Sequence, residues 1–296
     1  NIKIIWPDGH ESFIPIDLIK NSYLPRYPEQ CEWPEGFQPK KYSWKEFLNS
    51  NEIALEALKT FVTFGVIILK DAPKESNSLE FLAKRLGPIN EVLFERIHNV
   101  SVTGHVYNVA HTPKGLPPHN DFASYKSQPS VQVLHMLENE CEGGESIIVD
   151  GWQVAKDLKD EMPEYFSILK NFNVPFREFD EENETYAEAP LIKCATDGTI
   201  ESFRFSNQLM QMINPNLENV DLFYMAYHEL CSRVNSNKYK SKFRLESGHI
   251  LLVSAHRVLH GRQEFIPDGK RHLQDAYYEM DNIENNLVLY QSQRSN

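Results

Sequence analysis

Hydrophobic and polar residues alternate through Ile2, Ile4 and Trp6, break at Asp8-Gly9 and resume at Phe13-Ile14, which predicts a β hairpin. Tyr23 to Lys40 carries four prolines and reads as a linker. Ser43-Trp44-Lys45-Glu46 has the form of a capping box, and Phe47, Ile53, Leu55, Leu58 and Phe61 follow at helical spacing until Gly65 stops the run. Val66 to Leu69 is a continuous apolar run, as a strand buried on both faces requires. Leu79 to Leu86 predicts a short helix closed by Gly87-Pro88.

Further along, the period changes from helical to twofold. Val131 to Leu137 alternates, and Glu145 to Val149 forms a second strand after the Gly143-Gly144 turn. Asp150-Gly151 opens a helix through Val154, Leu158 and Met162. Leu217 to Val234 reads as an amphipathic helix with Leu222, Met225, Ala226 and Leu230 on one side. His249 to Val253 and His272 to Glu279 predict two closing strands with a turn around His260 between them. Short strands with helical inserts suggest a mainly β fold, a barrel or jelly roll flanked by helices. A doubly wound sheet fits poorly, since no strand is followed by Gly-x-Gly-x-x-Gly and there is no P-loop. The predicted organisation is a small N-terminal β unit and linker over residues 1–40, then one domain over 41–296.

Composition narrows the function classes. With 296 residues and 41% hydrophobic, the chain has enough apolar side chain for a full core. Thirty basic against 42 acidic residues give a net charge of −12, which argues against a nucleic-acid partner. Apolar runs stop well short of the roughly 18 residues a membrane span needs, so no membrane partner is expected. Cys31, Cys141, Cys194 and Cys231 lack CxxC spacing, which fits idle thiols in a reducing cytoplasm. The chain starts at Asn1 rather than Met, leaving room for a removed leader. Oligomeric state is not readable from one sequence, a homodimer being the common outcome for soluble enzymes.

The candidate chemistry lies in His119-Asn120-Asp121, His260 and Arg271. With 11 histidines and 42 acids in 296 residues, roughly one or two His-x-Asp/Glu matches arise by chance, yet only His119 heads one. On a strand, positions i and i+2 share a face, so His119 and Asp121 can bind one ion while Asn120 points away. Pro117, Pro118 and Asn120 equally suit a surface turn. Two imidazoles and a carboxylate are the ligand set of non-haem Fe(II) oxygenases. The planar guanidinium of Arg271 can clamp the distal carboxylate of a 2-oxo acid.

Five segments occur in family order: His119-Asn-Asp-Phe122, Gln132-Val-Leu-His135, Gly143-Gly-Glu-Ser-Ile-Ile-Val-Asp-Gly151, Arg257-Val-Leu-His-Gly-Arg262 and Arg271-His-Leu-Gln-Asp-Ala-Tyr277. They resemble the γ-butyrobetaine hydroxylase and trimethyllysine dioxygenase group of the taurine dioxygenase-like Fe(II)/2-oxoglutarate oxygenases, over most of residues 41 to 285. Trp6-Pro-Asp-Gly-His-Glu-Ser12 resembles the start of that group's small N-terminal domain. The resemblance implies a double-stranded β-helix, a jelly roll of cupin type. His119, Asp121 and His260 would hold Fe(II), and Arg271 with Ser146 would bind 2-oxoglutarate. With O2 the outcome would be hydroxylation of a small molecule, with release of succinate and CO2. A carboxylate at position 121, rather than Gly or Ala, leaves no coordination site for a halide.

For the substrate, the resemblance implies an aromatic cage around a trimethylammonium group, at Phe94, His98, His111 and Tyr277. His98 and His111 depart from the aromatic character, because an imidazole is a poorer π donor and a protonated one repels a quaternary amine. Asn108 matches a position that binds the substrate carboxylate. Asn207 is either a second such contact or a turn residue. Either the weakened cage still takes a trimethylammonium compound, or the histidines bind a polar head such as a phosphonate. A betaine, amino acid or aminophosphonate satisfies these constraints. Arg257, Arg262, His135, His256 and His272 read as core or turn residues. The group's N-terminal zinc cluster has one counterpart here, Cys31, so no structural zinc is expected. A metal-dependent hydrolase and a non-catalytic small-molecule-binding barrel are the alternatives; the first leaves Arg271 without a role.

Overall fold

A computed structural model describes residues 1–17, 19, 27–93, 95–101 and 109–294. At the N-terminus, β1 (Ile2–Ile5) and β2 (Glu11–Ile14) pair antiparallel as the hairpin the alternation predicts. Two larger sheets follow. The first has six strands in the order β3 (Lys41–Ser43), β4 (Val66–Lys70), β15 (His249–Ser254), β7 (Val131–Asn139), β18 (Arg271–Tyr278) and β5 (His98–Ser101). The second runs β14 (Lys240–Phe243), β9 (Ser146–Asp150), β16 (Val258–Arg262) and β6 (Leu116–His119). Smaller antiparallel pairs join β10 (Val174–Phe179) to β11 (Glu184–Ala189), β12 (Ile192–Cys194) to β13 (Ile200–Phe203), and β17 (Phe265–Ile266) to β8 (Glu142–Gly143).

The two large sheets face each other. Val66, Ile68, Met136, Leu251, Val253 and Leu273 from the first meet Ile148 and Val258 from the second in one buried cluster. The twofold period turns alternate residues outward, so Ile67, Leu69, Val133, Ala276 and Tyr278 pack instead with helices Trp44–Asn49, Asn51–Phe64 and Met280–Arg294. Val149 and Leu259 likewise meet helices Gly151–Glu161, Pro163–Asn171 and Val220–Asn235. The result is a double-stranded β-helix with helices on both outer faces. Trp33 is buried in the inner cluster and its indole donates to Phe64 O at 2.8 Å, so this part of the proline-rich stretch lies against the barrel.

Local signals set the helix ends. Ser43 Oγ accepts from Glu46 N, and Gly65 closes the helix Asn51–Phe64 at φ 75°, a left-handed conformation that favours glycine. Three expectations need correction. The segment Leu79–Leu86 is a 3-10 turn over Ser78–Leu82 followed by one α turn. The amphipathic helix begins at Val220, because Asn219 before it has φ 63°. It buries Phe223, Ala226, Leu230 and Val234, while Met225 is 57% exposed. Phe172 stacking on Phe223 at 4.6 Å between centroids decides which face turns in.

Asp150 ties together the neighbouring ends of β9 and β16. Its Oδ1 accepts from Trp152 N and Gln153 N, capping the next helix, and both carboxylate oxygens receive Arg257 at 3.1 and 2.6 Å. Arg257 also donates to Thr63 O and Cys31 O, and both partners are almost fully buried. Removing one member strands the other charge in an apolar setting. Arg257→Met should therefore cost about 3–5 kcal/mol in urea unfolding. A loss under about 1 kcal/mol would show that the pair contributes little.

Candidate metal centre and adjoining cavity

Extended backbone brings the three candidate ligands together. In the β6–β16 ladder His119 stands opposite His260, which lies inside strand β16 and not in a turn. A Cβ on the neighbouring Gly261 would sit 2.6 Å from Leu116 O, so only glycine lets β6 approach this closely. Strand β6 ends at His119, and Asp121 starts a turn in which Phe122 has φ 52°. Both sequence alternatives thus hold in part, with His119 on the strand and Asp121 just past its end.

His119 Nε2 lies 3.2 Å and His260 Nε2 3.7 Å from Asp121 Oδ1. One ligand atom from each residue lies within 4.8 Å of the others. The surroundings orient them. His119 Nδ1 is 2.9 Å from Pro117 O, and a carbonyl can only accept, so the ring proton sits on Nδ1 and Nε2 keeps its lone pair. Asp121 Oδ2 receives the Tyr277 hydroxyl at 2.7 Å and the Gln132 amide, leaving Oδ1 turned toward the imidazoles. Burial alone would raise the Asp121 carboxyl, but His260 and His119 overcome it and hold the group well below the usual carboxylate range. Burial pulls His260 down to about 4, which keeps it neutral. Burial lowers His119 too, yet the Asp121 carboxylate more than compensates and its net shift is upward, so metal binding there would release a proton. Two imidazole nitrogens and one ionised carboxylate fit a divalent iron.

A second cluster on the same inner face fits a dianionic co-substrate. Arg271 shares that face of β18 with Leu273, which is in the inner core. Its guanidinium is buried, stacks over the Phe265 ring at 5.2 Å, and its Nε has no hydrogen-bond partner. No carboxylate pairs with it among the described residues. Burial, then the nearby Arg262 charge, pulls it down to about 10. A buried cation without a counter-charge is costly, and a bound carboxylate would resolve it. Ser146 shares the inward face of β9 with Ile148 and pairs with Arg262 across the ladder. Arg262 itself donates to Ala110 O, Thr112 O and Lys114 O, a structural role.

Beside the metal cluster lies a cavity of about 370 Å³ whose lining includes His98, His119, Asp121, Glu178, Asp275 and Tyr277. His98 Nδ1 is 3.4 Å from Asp275 Oδ1, its partner across the β5–β18 register. Burial lowers His98, yet Asp275 more than compensates and the net shift is upward. His111 is buried with Nδ1 3.1 Å from Ser101 O, and its ring meets His98 edge-on at 5.9 Å. Phe94 and Asn108 lie outside the described residues. Asn207 is exposed and accepts from the Tyr227 hydroxyl, while Ser206 and Gln208 on either side line the cavity. Three histidines read from sequence as core or turn residues lie elsewhere: His135 is fully buried, His256 contacts Gln128 O, and His272 contacts Asn99.

Sequence reasoning missed Glu178 and Ser206, and named Gln132 and Tyr277 without their part in holding Asp121 Oδ2. Val174 and Phe176 face the core on strand β10, and Glu178 continues that face, so an acid ending an apolar alternation was the available signal.

Residues 30–277 match the model of the taurine catabolism dioxygenase TauD, TfdA family. The γ-butyrobetaine dioxygenase of Pseudomonas sp. (strain AK-1) is 28% identical over 98% of this chain and 78% of its own. Mouse mitochondrial trimethyllysine dioxygenase is 27% identical over 96% and 70%. Among solved structures, the non-haem iron oxygenase OrfP with Fe and alpha-ketoglutaric acid superposes with a TM-score of 0.61 at 14% identity, covering 82% of this chain and 94% of that one. A taurine dioxygenase from Burkholderia xenovorans gives 0.60 at 13% identity, over 85% and 89%. Neither the hydrolase nor the non-catalytic barrel draws support from these relatives. The protein is an Fe(II)- and 2-oxoglutarate-dependent dioxygenase, and its chain belongs to the TauD, TfdA family.

Proposed function

We propose that the enzyme hydroxylates a C–H bond of a small amine-bearing molecule of betaine, amino acid or aminophosphonate type. The observation that carries this reading is the cavity against the His119–Asp121–His260 cluster, which is lined by four carboxylates, Asp121, Glu178, Asp180 and Asp275, against one guanidinium, Arg177, and two imidazoles. In the same proposal His119, Asp121 and His260 hold iron, Arg271 and Ser146 hold 2-oxoglutarate, and His98, His111 and Tyr277 form part of the substrate wall. Phe94 and Asn108 complete that wall on the strength of the resemblance alone. Asn207 gains no support from its exposed position, and Ser206 beside it is the better placed residue.

When bound, iron with 2-oxoglutarate and O2 couples decarboxylation of the co-substrate to succinate and CO2 with insertion of an oxygen atom into the substrate. The protein's part is positional. Pro117 O fixes the His119 tautomer, while Gln132 and Tyr277 hold the Asp121 carboxylate in one rotamer. Arg271 neutralises the far carboxylate of the co-substrate and so sets which end faces the metal ligands. Val92, Leu93, Val100, Leu116 and Leu209 give the cavity an apolar wall that keeps water from the reacting C–H bond.

A panel measuring succinate release with iron and 2-oxoglutarate tests the reading. It would contain γ-butyrobetaine, trimethyllysine, trimethylaminoethylphosphonate and their unmethylated analogues. At least one member should raise succinate release about 10-fold or more above the substrate-free rate, with stoichiometric hydroxylated product. No stimulation by any amine would sink the substrate class.

The proposal extends to the chain's organisation. Residues 1–40 form a small N-terminal unit and linker and 41–296 the oxygenase domain, a division supported by a hairpin whose strands, among the described residues, pair only with each other. No helix among the described residues is long and apolar enough to cross a membrane. A cytoplasmic homodimer is the state we infer, supported for the compartment by four unpaired cysteines.

A further inference from the structure

Four carboxylates line the cavity, and three already have an occupation. Asp121 belongs to the metal cluster. Asp275 is ion-paired with His98 at 3.4 Å, its partner across the β5–β18 register, although its Oδ1 makes no hydrogen bond among the described residues. Asp180 caps its own turn, accepting from Glu182 N and Asn183 N. Glu178 is left. Its hydrogen-bond contact among the described residues is the Ser124 hydroxyl at 3.5 Å, and no cation there pairs with it. The adjacent Arg177 also lines the cavity, but its guanidinium binds Glu184 at 2.8 Å and lies over the Phe179 ring instead.

A second orphan lines the same cavity. Ser206 is 2% exposed, and its Oγ has no hydrogen-bond partner. The backbone around it is firmly held. Asn120 exchanges hydrogen bonds with Phe205, Met210 N donates to Ser206 O, and Arg177 N donates to Leu209 O, so residues 205–211 are tied both to the metal-ligand segment and to β10. A buried hydroxyl without a partner, and a half-buried carboxylate whose one contact is a hydroxyl at 3.5 Å, each cost free energy until a donor arrives. Burial first, and then the Asp121 charge, pushes the Glu178 carboxyl up to about 7, the strain expected of an acid awaiting a cation.

We propose that Glu178, with Ser206 Oγ as a second acceptor, binds the substrate's ammonium group, and that this nitrogen keeps at least one N–H. The inference rests on the amine-hydroxylase reading above and deepens it. A carboxylate gains most from a cation that donates a hydrogen bond, whereas a quaternary ammonium has no proton to give and prefers ring faces. Two of the cage positions here are histidines, one of them paired to a carboxylate, so the aromatic alternative is correspondingly weak. The site is thus specific for primary to tertiary amines.

The test reads binding without turnover. Protein loaded with manganese(II) and 2-oxoglutarate is titrated calorimetrically with 4-aminobutyrate, its mono- and dimethyl forms and γ-butyrobetaine, and with 2-aminoethylphosphonate and its trimethyl form. In each series the N–H-bearing members should bind at least about 10-fold more tightly than the quaternary one. Glu178→Gln should weaken the N–H-bearing ligands about 100-fold, Glu178→Asp should recover part of that, and Ser206→Ala should weaken them about 5-fold. Thermal melting of each variant reports folding, and Ser206→Ala removes a hydroxyl without a partner, so it tests the site without disturbing the wall. Tighter binding of the quaternary members, a change below about threefold in Glu178→Gln, or no binding by any member overturns the proposal. Succinate formation by wild-type protein with iron is scored separately, so its absence counts against the reaction and the binding series counts against Glu178.

Discussion

His260→Ala is expected to abolish iron retention and succinate formation together. The imidazole is one of the three candidate ligand groups, and its Nε2 faces the same Asp121 oxygen as His119. Removing a neighbour that merely orients a ligand typically costs roughly 10- to 100-fold in metal affinity, so removing a ligand should exceed about 10³-fold in turnover. Iron content after anaerobic loading and succinate release are the two measurements. Folding should survive, since Val258 and Leu259 keep the ladder to β9. One iron per chain with more than about a tenth of wild-type turnover would remove His260 from the ligand set.

Arg271→Leu should produce a different signature. A buried guanidinium paired with a carboxylate is worth several kcal/mol to the complex, so the KM for 2-oxoglutarate should rise at least about 100-fold. Without co-substrate the change should be neutral or stabilising, because it replaces a buried cation with an unsatisfied Nε by an apolar side chain. Wild-type melting temperature should therefore climb with added 2-oxoglutarate while that of the variant stays flat. Arg271→Lys should recover only part of the affinity, a point charge lacking the two-pronged geometry. If Arg271→Leu melts well below wild type in the absence of 2-oxoglutarate, the guanidinium is a structural group and the co-substrate sits elsewhere.

Much of this arrangement was readable from the chain. Ser43 and Gly65 act locally, through a side-chain cap and a left-handed φ, and local effects survive in sequence. The strand β7 shows its two faces because one meets helices and the other the inner core, both apolar. The His119, Asp121, His260 and Arg271 set was legible because each residue type is rare or costly where it stands. What was not legible depends on distant partners. His260 reads as a turn beside Gly261, yet pairing with β9 and β6 extends it. Met225 has the spacing of a core residue, but the rings of Phe172 and Phe223 choose a face one position away. Glu178 and Ser206 meet one cavity through hydrogen bonds between segments some thirty residues apart, which no local period records.

The ligands, Arg271 and Ser146 lie on or at the ends of strands of the two large sheets, whereas the wall carrying Glu178 and Ser206 comes from β10 and the 205–211 segment outside them. The proposed ammonium site thus sits on chain outside the sheets that carry the candidate ligands, His98 and Tyr277, and is joined to them through Asn120, Ser124 and Arg204. Substitutions in the wall can redirect the enzyme to another molecule while the packing that shapes the metal centre stays as it is.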